Sequence, residues 1–265
     1  MMLSDVIGYS LNNIRLYGLF GLKFFECEYI STESGEGIYP IIPQNMTVWF
    51  IGTIALCCII AYLLGTLNFA MLISKYKYHD DIRSHGSGNA GSTNMLRTYG
   101  KKTGVLTFVC DTLKAVVAIA IAWLAFGEWV GYLASLFCIL GHAFPVWYGF
   151  KGGKGVAVLA ASVLCLNWPV FVVLLIVFAA IVYMSKFVSL GSIMSALLYP
   201  VFLSSLYPIY IAIFGGGKSY GYGIIILCSA ITALLVVFLH KENIKRLLDH
   251  NENKISFGKK KKSDN

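Results

Sequence analysis

Apolar positions in this chain come in long runs joined by short polar connections. A helix needs about 20 apolar residues to cross a bilayer, fewer where its neighbours shelter it. Residues 48–73 satisfy this as a first span, 104–126 as a second and 130–147 as a short third. The run 156–184 is interrupted by Asn167-Trp168-Pro169, which breaks it into a short fourth span and a fifth. Residues 190–214 and 222–239 complete the set. The pattern predicts an all-α polytopic membrane bundle of about seven transmembrane helices.

Composition agrees with the pattern. With 57% hydrophobic and only 13% charged residues, the chain is far too apolar for a soluble domain of its length. Basic residues then set the orientation, because Lys and Arg gather in cytoplasmic loops. Numbering loops from the first span places 17 of the 21 on one side. That side carries the connections after the first, third, fifth and seventh spans, so the amino terminus is expected outside and the carboxyl terminus in the cytoplasm. The net charge of +8 follows from this bias and from anionic lipid headgroups, with no nucleic acid required.

Three segments follow from the spans: a 1–45 extension, a 46–248 membrane domain and a basic cytoplasmic tail, 249–265. Residues 3–25 are compatible with an interfacial helix. Met46 stands directly before the first span, which suggests that the first 45 residues stem from an upstream start codon and are dispensable. Six of the seven cysteines fall in spans, where they act as small hydrophobes, and Cys27 has no evident partner. No Cys and His spacing suits a metal, and neither metal nor cofactor is expected.

The chemistry lies in the connections. Arg83 to Lys102 reads R-S-H-G-S-G-N-A-G-S-T-N-M-L-R-T-Y-G-K-K. Its glycines let backbone N–H groups approach a ligand, Ser, Thr and Asn add small donors, and Arg97 offers a fork to an anion. A glycine-rich turn between helices is the plainer reading of this stretch taken alone, and no Gly-Lys-Ser/Thr makes it a Walker A loop. Gly141 to Ala157 brings Lys151 and Lys154 around Gly152 and Gly153, just ahead of a helix amino terminus. Ser189 and Ser192 start the sixth span, and His240 and Asn243 lie three apart beyond the seventh. Asp111 and Lys114 share a face inside the second span, either as an internal ion pair or as a hold on the site. His142 reads as a packing histidine, and Phe144, Trp147, Tyr148 and Phe150 as an interfacial belt. All the polar motifs gather on one face, which points to a phosphorylated small molecule with a lipid or acyl partner. A metabolite transporter would instead place polar residues at mid-membrane in broken helices. A purely structural protein would not need three dense polar motifs. Transfer of glycerophosphate from a nucleotide donor lacks its aspartate-rich metal motif here.

The segments G-S-G-N-A-G-S-T-N-M-L-R, F-P-V-W-Y-G-F-K-G-G-K-G-V-A and H-K-E-N-I-K-R-L resemble, in order, the three signature segments of the bacterial acyl-phosphate:glycerol-3-phosphate acyltransferases. The resemblance covers roughly 46–248. It implies a seven-span enzyme of the bacterial plasma membrane with its active site on the cytoplasmic side. That enzyme would move a fatty acyl group from acyl phosphate to the sn-1 hydroxyl of glycerol 3-phosphate, releasing inorganic phosphate and lysophosphatidic acid. The implied catalytic set is His240, Asn243, Lys154 and Arg97. The implied phosphate-binding set is Ser87, Gly88, Asn89, Gly91, Thr93, Asn94, Arg97, Lys151, Gly152, Gly153, Lys154, Ser189 and, more weakly, Ser192, because Gly191 stands where some relatives have a second serine. His240 either takes the hydroxyl proton or orients substrate while a substrate phosphate takes it. Partners are the two substrates and the bilayer; the expected unit is a monomer, with an oligomer left open. The 45-residue extension and the G-G-G-K-S-Y-G loop at 215–221 depart from the pattern outside its signature segments.

Overall fold

The computed structural model describes residues 29–31, 38–40, 44–214 and 221–255. The start-codon reading of 1–45, the loop at 215–220 and the tail end 256–265 therefore lie wholly or mostly outside the described residues. Two three-residue strands, β1 (Tyr29–Ser31) and β2 (Ile38–Pro40), pair antiparallel ahead of the first helix, a small exception to the all-α expectation.

Everything that follows is helical. In chain order the helices are α1 (Gln44–Thr66), α2 (Phe69–Tyr78), α3 (Ser92–Tyr99), α4 (Lys101–Phe126) and α5 (Glu128–Ala143). After them come α6 (Val156–Leu166), α7 (Trp168–Ser185), α8 (Val188–Phe214), α9 (Tyr222–Leu239) and α10 (Lys241–Leu248). Among the described residues, six segments are long and apolar enough to cross a membrane. The expected fourth span, α6, has only 11 residues.

The expected single span 48–73 is two helices. The chain breaks after Thr66, and Asn68 caps α2 by accepting the Met71 N–H on its Oδ1 at 3.1 Å. An amide side chain there competes with the helix for backbone donors, which the apolar count along the run does not register.

The bundle closes through small residues. A Cβ on Gly65 would fall on the backbone of Cys138, and one on Gly141 on the backbone of Tyr62 and Thr66, so α1 and α5 touch backbone to backbone. Ile119, Ile139, Val158, Leu203, Ile225 and Val236 are buried between the helices, while Val117, Ile176 and Leu234 are exposed on the outside of the bundle.

The helix ends sort into two groups. At one end α6 begins beside Ile139 (through Gly155), and the loops 79–91, 149–155 and 186–187 meet. At the other, Leu166 packs near Gly131, and Glu128, Tyr207 and Tyr222 come together.

Candidate active site

Two of the loops are stapled to each other. Arg83 pairs with Asp81 at 2.7 Å and reaches across to the carbonyls of Tyr148 (3.0 Å) and Lys151 (3.2 Å). Burial opposes the charge of Asp81, but the Arg83 guanidinium outweighs it and holds the carboxyl below its usual range. Within the first loop Gly86 adopts φ 57°, a conformation that favours glycine, and the chain turns back on Asn94. Asn94 accepts from Ser87 N at 3.0 Å and donates to the carbonyls of Ile82 and His85, so its side chain braces the loop.

The loops enclose a cavity of about 380 Å³. Ser87, Asn89, Gly91, Thr93, Asn94 and Arg97 line one wall, Lys154 another, and Ser189, Ser192, His240 and Asn243 the third. The first turn of α3 faces in, so amide donors without helical partners are directed at the cavity. Beyond these polar walls the cavity continues as an apolar trough past Leu159, Val163, Phe171, Leu174 and Phe178. Gly88, Lys151, Gly152 and Gly153 stand outside the lining. The N–H groups of Gly152 and Gly153 are already bonded to the carbonyls of Ala143 and His142, Gly88 N–H closes a turn on His85, and the Lys151 side chain is exposed.

Lys154 donates to Asn243 Oδ1, and the other end of that amide donates to Glu252 Oε1 at 2.9 Å. Glu252 also accepts from Ser189 Oγ at 3.0 Å and from Arg246 Nε at 2.9 Å. Burial lowers the Lys154 pKa to about 8, helped by Arg246 and Arg97 and opposed by Glu252. Burial likewise lowers His240 to about 4, with Lys154 adding to the effect. The His240 Nδ1 lies 2.7 Å from the Val236 carbonyl. A carbonyl only accepts, so Nδ1 carries the proton and Nε2 is left as an acceptor. Arg97 is exposed at the rim with no hydrogen bond or ion pair among the described residues.

A cationic polar mouth opening onto an apolar trough suits an anion joined to a hydrocarbon chain. The model of the family described as "Glycerol-3-phosphate acyltransferase" matches residues 55–250. The chain belongs to that family. Among the acyltransferases it resembles, the Streptococcus thermophilus (strain CNRZ 1066) glycerol-3-phosphate acyltransferase is 38% identical over 206 residues, 77% of this chain and 94% of the relative. Glycerol-3-phosphate acyltransferase 2 of Bacillus cereus (strain ZK / E33L) is 36% identical over 215 residues, 79% of this chain and 99% of the relative. The crystal structure of PlsY, an integral membrane glycerol 3-phosphate acyltransferase, in its glycerol 3-phosphate form, superposes with a TM-score of 0.67 at 36% identity, over 77% of this chain and 96% of that one. Its lysphosphatidic acid form gives 0.65 at 35%.

For an acyltransferase of this family, sequence reading missed Glu252. The residue lies in what reads as a basic tail, past a turn in which His250 takes φ 56°. The tail doubles back, Ile255 N–H bonding the Lys186 carbonyl at 2.8 Å, and delivers the carboxylate to the site. The signal available was Arg246, three residues beyond Asn243 on one helix face. Asp111 and His142 also line the cavity, His142 buried and within hydrogen-bond distance of Lys114.

Proposed function

We propose that the protein transfers an acyl group from acyl phosphate to the sn-1 hydroxyl of glycerol 3-phosphate, giving lysophosphatidic acid and inorganic phosphate. The solved relatives in glycerol 3-phosphate and lysphosphatidic acid forms support the acceptor and the product. The observation that carries the donor is the single cavity in which Arg97, Lys154 and the α3 amino terminus face a continuous apolar trough. Two phosphates can be neutralised side by side there while an acyl tail lies between α6, α7 and α8.

In the transfer the sn-1 oxygen bonds to the acyl carbonyl carbon and the bond from that carbon to the phosphate oxygen breaks. Lys154 and the first-turn amides of α3 stabilise the developing oxyanion. The leaving phosphate departs from a mixed anhydride and needs little acid help. Burial makes His240 a weak base, so His240 Nε2 accepts from the hydroxyl and orients it, and a substrate phosphate takes the proton.

The site faces the cytoplasm of a bacterium, α6 counts as a short seventh crossing, and the amino terminus lies outside. The grouping of α6's two ends with opposite ends of the bundle and the basic bias of the loops support this topology.

The experiment is phosphate release by purified protein in lipidic medium, given palmitoyl phosphate with and without glycerol 3-phosphate. Release that requires both substrates, and that falls about 10- to 100-fold in Arg97→Ala through loss of one charged hydrogen-bond donor, is expected. Equal turnover with palmitoyl-CoA would overturn the donor.

A further inference from the structure

Lys114 and Asp111 are buried in α4 with their charged atoms 2.7 Å apart. A simple ion pair would need nothing more. Yet the Lys114 Nζ also lies 2.7 Å from the Leu67 carbonyl, 3.1 Å from the Gly65 carbonyl and 2.9 Å from His142 Nδ1. An ammonium has three protons, and these three acceptors use them. The Asp111 carboxylate, with Oδ1 2.7 Å from the same ammonium, balances its charge.

Each acceptor leads to a wall of the cavity. The Gly65 and Leu67 carbonyls border the break between α1 and α2. Asn68, within that break, donates from Nδ2 to the Ala90 carbonyl at 3.2 Å, one residue before the Gly91 that starts α3. His142 accepts the Gly153 N–H on its carbonyl at 3.1 Å, one residue before Lys154. Gly65 and Gly141 bring the two helices close enough for one side chain to reach both.

We propose that Lys114 is a positioning residue for the transfer reaction: one buried ammonium, fastened to the α1 break and to His142, sets the spacing between the loop that leads into α3, which carries Arg97, and the loop that carries Lys154. The inference rests on the two-phosphate reading of the cavity. That reading requires both loops to hold their anions in register, and a misplacement of about 1 Å in such a site costs about 100-fold in rate.

The test begins with the double variant Asp111→Asn/Lys114→Met, which removes both charges together and strands neither. It is expected to purify as a monodisperse protein with a lowered melting temperature, because three acceptors lose their donor, and, assayed where it is still folded, to show kcat about 100-fold lower and KM for glycerol 3-phosphate raised. The single variant Lys114→Ala supplies a second readout. Added propylammonium matches the missing side chain and is expected to return most of the lost turnover, whereas 1-propanol, of similar shape and no charge, returns none. A double variant that is kinetically indistinguishable from the wild type overturns the proposal. So does equal recovery with 1-propanol, or propylammonium that recovers the melting temperature without the turnover. Wild-type protein in the same assay must consume both substrates together; failure there removes the donor reading and is visible before any variant is compared.

Discussion

At the cavity end of the bundle, connections of up to 13 residues and the helix ends beside them carry Arg, Lys, His, Ser and Asn, and their side chains bond across the chain: Arg83 to 148 and 151, Lys154 to 243, Ser189 to 252. At the far end, single residues such as Gly127 and Asn167 join the helices, and the polar groups serve packing. There Tyr207 donates to Glu128 at 2.9 Å and stacks on Tyr222, whose hydroxyl bonds the Ser204 carbonyl. At the cavity end Arg97 stands at the rim and the first turn of α3 faces into a lined cavity. At the far end Glu128 Oε1 and Asn167 Nδ2 are buried without a hydrogen-bond partner among the described residues, and neither lines that cavity. A polar residue near the lipid is thus informative through what its hydrogen bonds reach.

The sharpest way to break this contrast is at Lys154. Lys154→Met is expected to lower kcat/KM about 100- to 1,000-fold in steady-state phosphate release, the cost of one preorganised donor to a developing oxyanion. A smaller effect is expected at His240. His240→Gln should cost about tenfold, one hydrogen bond's worth, whereas loss of an essential base would cost about 100- to 10,000-fold. The pH profile then tests the electrostatics. Because the Lys154 pKa is lowered to about 8, its charge is present below that pH and lost as pH rises through it. The expected alkaline limb of kcat/KM therefore lies near 8, and Arg246→Gln should move it upward by removing a neighbouring cation. At the far end Tyr207→Phe should destabilise by about 1–3 kcal/mol in a denaturation assay, since it removes the Glu128 donor, and leave the turnover of folded protein unchanged. Lost turnover there would erase the distinction between the ends.

Hydrophobic run length identified the spanning helices because burial in lipid acts on every residue of a run alike. It showed the short α6, which ends at the break at Asn167, but not the joint at Asn68, where one amide redirects the backbone. The cavity was legible through Ser87, Asn89, Arg97, Lys154, His240 and Asn243, each within a dense polar motif. Glycine content misled at Gly152 and Gly153, whose N–H groups are consumed by the end of α5. Glu252 was hidden because its role depends on the path of the chain after α10, and distance along a sequence does not encode a reversal. The Lys114 network was visible only as an i, i+3 pair; its reach to α1 and α5 depends on two glycines that let helices meet.

At a rise of about 1.5 Å per residue, the 11 residues of α6 extend about 16 Å, roughly half the hydrocarbon thickness of a bilayer. On the seven-crossing reading, the glycine-rich loop ahead of α6 sits well below the level of the lipid headgroups, and the surrounding membrane must thin or let water in around it. Glycerol 3-phosphate would then descend to meet the acyl carbonyl, and the hydrocarbon tail would never have to rise into the aqueous phase.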